Sequence, residues 1–162
     1  MTTGQGREVE AETAAGRNRR GSAGQGIWAG AAYDGQPGAI AEARALTAGF
    51  LERARAEHGA EVPARADADA QLVVSELVTN AFKYAPGPCA LNLEIRGPVL
   101  EITVWDTNTA LPIARAAEPG RIGQHGLEIV FAVAEGFDVR REPVGKRIIV
   151  TIALGPIGPF DV

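Results

Sequence analysis

Three side chains of different chemistry recur along one short stretch, Ser75-Glu76-Leu77-Val78-Thr79-Asn80-Ala81-Phe82-Lys83-Tyr84-Ala85-Pro86. Glu76 and Asn80 are four residues apart and Lys83 follows three later, so on a helix they form one row. A carboxylate there can accept a proton, an amide oxygen can ligate a hard cation, and an ammonium can pair with phosphate. The same spacing also suits a solvated helix face carrying an incidental Glu-to-Lys pair. Ser75 and Thr79 complete the face without charge, which is unlike a surface rich in Glu and Arg. The row could instead border a cleft.

Two later features share this chemistry. Leu100-Glu101-Ile102-Thr103-Val104-Trp105-Asp106 is an alternating run closed by an acid where a loop begins. Alone, such an Asp is a cap or turn residue. Gly123-Gln124-His125-Gly126-Leu127 then leads into an apolar run. Glycines ahead of a helix let backbone amides approach an anion, helped by the positive helix end. Each signal is weak in isolation, and their order along the chain is more informative.

The elements that must position these residues are legible from periodicity. Ala39 to Gly59 reads as a helix with Ile40, Ala43, Leu46, Phe50 and Leu51 near helical spacing. A second helix is expected to start at Asp67 to Asp69, whose carboxylates suit an N-terminus, and to end at Tyr84 before Pro86. Its apolar arc is Val73, Val74, Leu77, Val78, Ala81 and Phe82, with Leu72 the one misfit. Leu91 to Arg96 and Leu100 to Val104 alternate with period two around Gly97-Pro98, which reads as an antiparallel hairpin with one face on a core. Ile27 to Ala29 reads as a short edge strand. Asp106 to Gln124 is irregular, a third helix runs from Gly126 to about Glu135, and Phe137 to Arg141 and Lys146 to Leu154 are the last strands. The expected fold is α+β, a two-layer sandwich with a mostly antiparallel sheet covered by helices on one face.

The chain of 162 residues has room for one full core. Three regions are expected: a flexible, apolar-poor tail over 1–26, a folded domain over 27–155 and a short tail over 156–162. A formal net charge of -4 supplies no basic stripe for a nucleic-acid backbone, so no direct nucleic-acid partner is expected. No apolar run reaches the roughly 18 residues of a membrane span, and no secretory signal is recognisable, which points to the cytoplasm. The single cysteine, Cys89, excludes an internal disulfide and reads as a buried small hydrophobe. His58 and His125 have no convincing metal-pair spacing. Trp28 and Trp105 read as core or interface aromatics.

The ordered set resembles the ATP-binding domain shared by gyrase-type ATPases, heat-shock-ninety chaperones, sensor histidine kinases and mismatch-repair ATPases, the Bergerat fold. More narrowly it is similar to the short bacterial branch of anti-sigma-factor serine kinases and stand-alone ATP-binding regulators. The phrase from Ser75 to Ala85 resembles that branch's Glu-and-Asn helix motif, Asp106 to Pro112 its strand-end acid and downstream proline, and Gly123 to Val130 its glycine motif. The resemblance spans about Tyr33 to Leu154. It implies that Asn80 holds Mg²⁺, that Glu76 is the catalytic base, and that Lys83 offsets phosphate charge. It further implies that Asp106 accepts a hydrogen bond from the adenine amine, and that Gly123 and Gly126 let the backbone close over the phosphates of ATP. A protein partner of the sigma-factor or anti-sigma-antagonist type is implied, with protein-serine kinase activity, and homodimers are common in the branch. The alternative is a non-catalytic nucleotide-sensing module. Three positions depart from the wider pattern: Thr107-Asn108-Thr109 lacks the glycines that many sensor kinases carry after the acid, His125 stands where the short branch often has Arg or Gly, and Arg147 follows Gly145-Lys146 where Thr is common.

Overall fold

The computed structural model describes residues 8–9, 26–85, 87–108 and 125–155. Among the described residues six strands, β1 (Glu8–Val9), β2 (Ile27–Tyr33), β3 (Cys89–Arg96), β4 (Val99–Asp106), β5 (Gly136–Arg141) and β6 (Lys146–Ala153), form one sheet in the order β1-β2-β3-β4-β6-β5. Every neighbouring pair is antiparallel. Helices α1 (Ala39–His58) and α2 (Ala64–Tyr84) pack on each other and on the sheet, and α3 (His125–Val133) packs on α2. This is the expected α+β architecture.

Strand alternation sets which side faces the helices. In β3 the buried residues are Cys89, Leu91, Leu93 and Ile95, in β4 Leu100, Ile102, Val104 and Asp106, and in β6 Lys146, Ile148, Val150 and Ile152. Cross-strand register stacks them in layers: Ile95 with Leu100 and Ile152, Leu93 with Ile102 and Val150, Leu91 with Val104 and Ile148. Val73, Val74, Leu77, Val78 and Ala81 of α2 close the core from the other side, with Phe82 packed at its margin. Fully burying each such aliphatic side chain contributes about 1.5–3 kcal/mol, so these layers hold the fold together. The arc read from the sequence is the arc that is buried.

Several boundaries differ from expectation. Helix α2 starts at Ala64, not at Asp67 to Asp69, after Pro63 in extended geometry. Its first turn lacks large apolar residues, so periodicity is silent there, yet Ala66 and Ala70 are wholly buried. Asp67 is an anchor as well as a helix-start acid: Arg55 of α1 pairs with it and also donates to the Val62 carbonyl, Nη2 to O 2.7 Å. Strand β2 runs through seven residues and pairs with β3 along its whole length. Its Ala-Gly-Ala-Ala composition gives little strand propensity, and packing against Leu91 and Leu93 decides the outcome. Helix α3 ends at Val133, and Glu135 already donates its N–H to the Thr151 carbonyl at 2.8 Å. Glu8–Val9, within the stretch expected as a tail, pairs with Gly30 and Ala31 of β2. The expected C-terminal tail, 156–162, lies outside the described residues. No helix among the described residues is long and apolar enough to cross a membrane.

Candidate functional site

The aliphatic layering stops at one end of the sheet. The next register position pairs Asp106 of β4 with Lys146 of β6, and Tyr33 of β2 with Cys89 of β3. All four are buried, with Asp106 at 3% and Lys146 at 4% exposure. An ionised pair sits where the preceding layers have Val104 and Ile148. Such a pair is retained only with close geometry and further hydrogen bonds, because both charges leave water.

Those hydrogen bonds are present. Lys146 Nζ donates to Asp106 Oδ1 at 3.0 Å and to the Asn108 carbonyl at 3.3 Å. The Asn108 backbone N–H donates to the same Oδ1 at 2.9 Å. Both contacts converge on Oδ1, and Oδ2 accepts no hydrogen bond from a described residue. Lys146 is held close by Gly145, whose backbone lies against Asp106: a Cβ there would fall 1.8 Å from the Asp106 carbonyl oxygen. Gly145 also has φ of 81°, so glycine is required twice over at this turn. The Cys89 thiol is pushed up to about 12, first by burial and then by the negative charges of Asp106 and Asp34. It remains a neutral thiol at physiological pH.

The end of β4 is tied to the end of α2. Asn108 Nδ2 donates to the Tyr84 carbonyl at 2.9 Å, which satisfies a helix C-terminal acceptor and brings Asp106 to the C-terminal turns of α2. The polar row lies on those turns. Glu76 and Asn80 are half-buried, and neither makes a side-chain hydrogen bond to a described residue. Lys83 is exposed, with its Nζ 5.8 Å from the centroid of the Tyr84 ring. Asn108 thus ties the end of β4, where Asp106 stands, to the helix end whose last turns carry Glu76, Asn80 and Lys83. Gly126 falls in the first turn of α3, which packs against α2, and Gly123 lies outside the described residues.

This donor set fits a magnesium-bound triphosphate. Mg²⁺ keeps several waters and phosphate oxygens, so one uncommitted amide such as Asn80 suffices as its protein ligand. No cluster of three His, Cys, Asp or Glu side chains able to hold a metal occurs among the described residues. A shallow groove between β2 and α1, lined by Ile27, Trp28, Phe50, Arg53, Ala54, Glu57 and His58, lies at the opposite end of the sheet, where Ile27 pairs with Ile95.

Sequence reasoning singled out Asp106 and passed over its partner. The signal was available: Lys146 is in phase with Ile148, Val150 and Ile152, and a lysine on the apolar phase of a strand must be paired to be buried.

Comparison with known proteins agrees with the geometry. Residues 36–152 match the histidine kinase-like ATPase domain. Over 64 residues the chain is 47% identical to the sensor histidine kinase Hik2 of Thermosynechococcus vestitus (strain NIES-2133 / IAM M-273 / BP-1). That alignment covers 38% of this chain and 16% of the relative's length. With the family's domain spanning most of the chain on the α+β scaffold described above, this protein belongs to the histidine kinase-like ATPase family.

Proposed function

We propose that this chain binds Mg²⁺-ATP along the polar row of α2 and thereby controls a protein partner of the sigma-factor or anti-sigma-antagonist type, by transferring phosphate to a serine of that partner. The observation that carries the reading is the juxtaposition of two sets of groups. The uncommitted Glu76 and Asn80 stand on the last turns of α2, and Asn108 joins that helix end to Asp106 through the Tyr84 carbonyl at 2.9 Å.

In this reading Asn80 would hold Mg²⁺ through its side-chain oxygen, and the ion would supply positive charge at the phosphates. Lys83 places a cation near the phosphates. Glu76, one helical turn from Asn80, accepts the proton of the attacking hydroxyl. Asp106 Oδ2 accepts a hydrogen bond from the base. Phosphoryl transfer depends mostly on positioning and charge stabilisation, so a set this small is chemically adequate.

Calorimetric titration with ATP and Mg²⁺ tests binding. Asn80→Asp and Asp106→Asn should each weaken it at least tenfold, and unchanged affinity in both removes the assignment. Transfer from labelled ATP to a candidate partner tests the chemistry. Glu76→Gln should leave ATP affinity within about twofold while lowering transfer by about 10²–10⁴, the usual contribution of a general base.

A second reading, a nucleotide-sensing module without turnover, is favoured by the burial of Asp106 in an ion pair with Lys146. In that case Glu76→Gln leaves the partner response intact.

A further inference from the structure

We propose that Lys146 is a second base-reading residue, which supplies a hydrogen-bond donor beside the Asp106 acceptor and so selects a purine edge bearing a donor and an acceptor side by side. The inference rests on the nucleotide-binding reading above and extends it to the class of base.

The argument starts from what each group has left to offer. An ammonium carries three N–H donors. Lys146 uses one on Asp106 Oδ1 and one on the Asn108 carbonyl. A third donor remains on a side chain that is only 5% exposed, where an unmade hydrogen bond is costly. Asp106 has the complementary remainder. Its Oδ1 takes both the Lys146 and the Asn108 backbone bonds, and Oδ2 takes none from a described residue. One acceptor and one donor thus stand next to each other, fixed by a 3.0 Å ion pair.

The fixation is tight. Lys146 and Asp106 are direct cross-strand partners, Gly145 packs against the Asp106 backbone, and the pair has no room to slide along the register. Other cations in this region do not substitute. Arg147 is paired with Glu142 at 3.2 Å, Arg140 with Asp138 at 3.0 Å, and Arg141, although it is the β5 register partner of Lys146, is exposed.

A lone carboxylate accepts from either purine donor, the 6-amino group of adenine or the N1–H of a 6-oxopurine, and it leaves the neighbouring acceptor, N1 or O6, without a partner. Asp106 with Lys146 meets both halves of a purine edge. Adenine offers its 6-amino donor to Oδ2 and its ring N1 acceptor to Nζ. A 6-oxopurine offers its N1–H to Oδ2 and its O6 to Nζ. Lys146 therefore makes ring N1 part of adenine recognition and pairs the O6 of a 6-oxopurine that a carboxylate alone would leave unpaired and repelled.

The test is calorimetry on the full chain with Mg²⁺ and three nucleotides: ATP, 1-deaza-ATP (a C–H in place of N1) and inosine triphosphate. We expect 1-deaza-ATP to bind at least tenfold more weakly than ATP, and inosine triphosphate to bind within tenfold of it. In Lys146→Met the ATP and 1-deaza-ATP affinities should converge and inosine triphosphate should fall at least tenfold further behind. Lys146→Arg, which keeps the donors, should restore much of the wild-type pattern. The wild-type comparison alone decides the matter if Lys146→Met does not fold. Equal affinity for ATP and 1-deaza-ATP, with inosine triphosphate a hundredfold weaker, overturns the role of Lys146 and leaves the ATP site standing. Absence of binding by all three nucleotides overturns the site and the inference together.

Discussion

The side-chain amide of Asn108 donates to the backbone carbonyl of Tyr84 at 2.9 Å, so a residue just past β4 holds the last turn of α2. The same residue reaches Asp106 through its own N–H and Lys146 through its carbonyl. Three polar partners from three elements meet at one loop residue. Asn108→Ala removes the Tyr84 contact and keeps the two backbone contacts, so urea unfolding should show a loss of about 1 kcal/mol. A loss below about 0.3 kcal/mol would mean that the helix end is held by packing alone.

Gly145 and Gly59 both adopt positive φ, at 81° and 63°, but only one of them is crowded. An added Cβ at Gly59 meets nothing within 4 Å, whereas at Gly145 it overlaps the Asp106 carbonyl. Gly59→Ala should cost about 1–2 kcal/mol, the left-handed penalty alone. Gly145→Ala should cost at least about 3 kcal/mol, because strain and steric overlap add. Thermal unfolding of the two variants side by side would check the ranking, and equal losses would refute it.

Cys89 couples stability to alkaline pH. Its thiol titrates near 9.0 in an unfolded chain and is pushed up to about 12 in the fold, mainly by burial. Between those values the folded state keeps a proton that the unfolded state has lost, so stability falls as pH rises through that window. The contribution is fully present below pH 9. Denaturant unfolding at pH 8 and pH 10.5 should show a decline on the order of a few kcal/mol in the wild type. The decline should be visibly smaller in Cys89→Ala, which has no thiol to ionise. Equal declines in both proteins would assign the effect to other groups.

The helix pair α1–α2 is clipped at one end by Arg55. It donates Nε to the Val62 carbonyl at 3.1 Å and Nη1 to Asp67 Oδ1 at 3.3 Å, with a second guanidinium contact to Asp67. The Asp67 carboxylate and its hydrogen bond hold the Arg55 guanidinium above its ordinary range. The pair is about one-third exposed on each side, so solvent screens much of its charge. Arg55→Met, which also orphans the Val62 carbonyl, should lose about 1–2 kcal/mol, and Asp67→Asn less than about 1 kcal/mol. Chemical denaturation would expose a reversed order.

The sequence was most legible where one periodicity governs both packing and chemistry. Val73 to Phe82 alternates with Glu76, Asn80 and Lys83 because the helix needs an apolar arc, and the leftover arc is where reactive groups can stand. Strands β3, β4 and β6 were readable for the same reason, since half their residues face the core. The start of α2 and the length of β2 were not readable, because alanine and glycine carry no strong pattern and their burial is imposed by neighbours. Asp106 was found as a strand-end acid, but its pairing with Lys146 joins residues forty positions apart in the chain. Strand order brings them together, and local spacing does not encode strand order.

The Trp105 indole donates to the Val144 carbonyl at 2.9 Å, which bridges the residue before Asp106 to the residue before Gly145. The protein thus carries its own optical reporter, wired to both sides of the ion pair. The other indole, Trp28, lies at the far end of the sheet, and replacing it with Phe would leave Trp105 as the one tryptophan. Any small molecule that disturbs the Asp106–Lys146 contact should then announce itself as a change in emission, without a dye or tag.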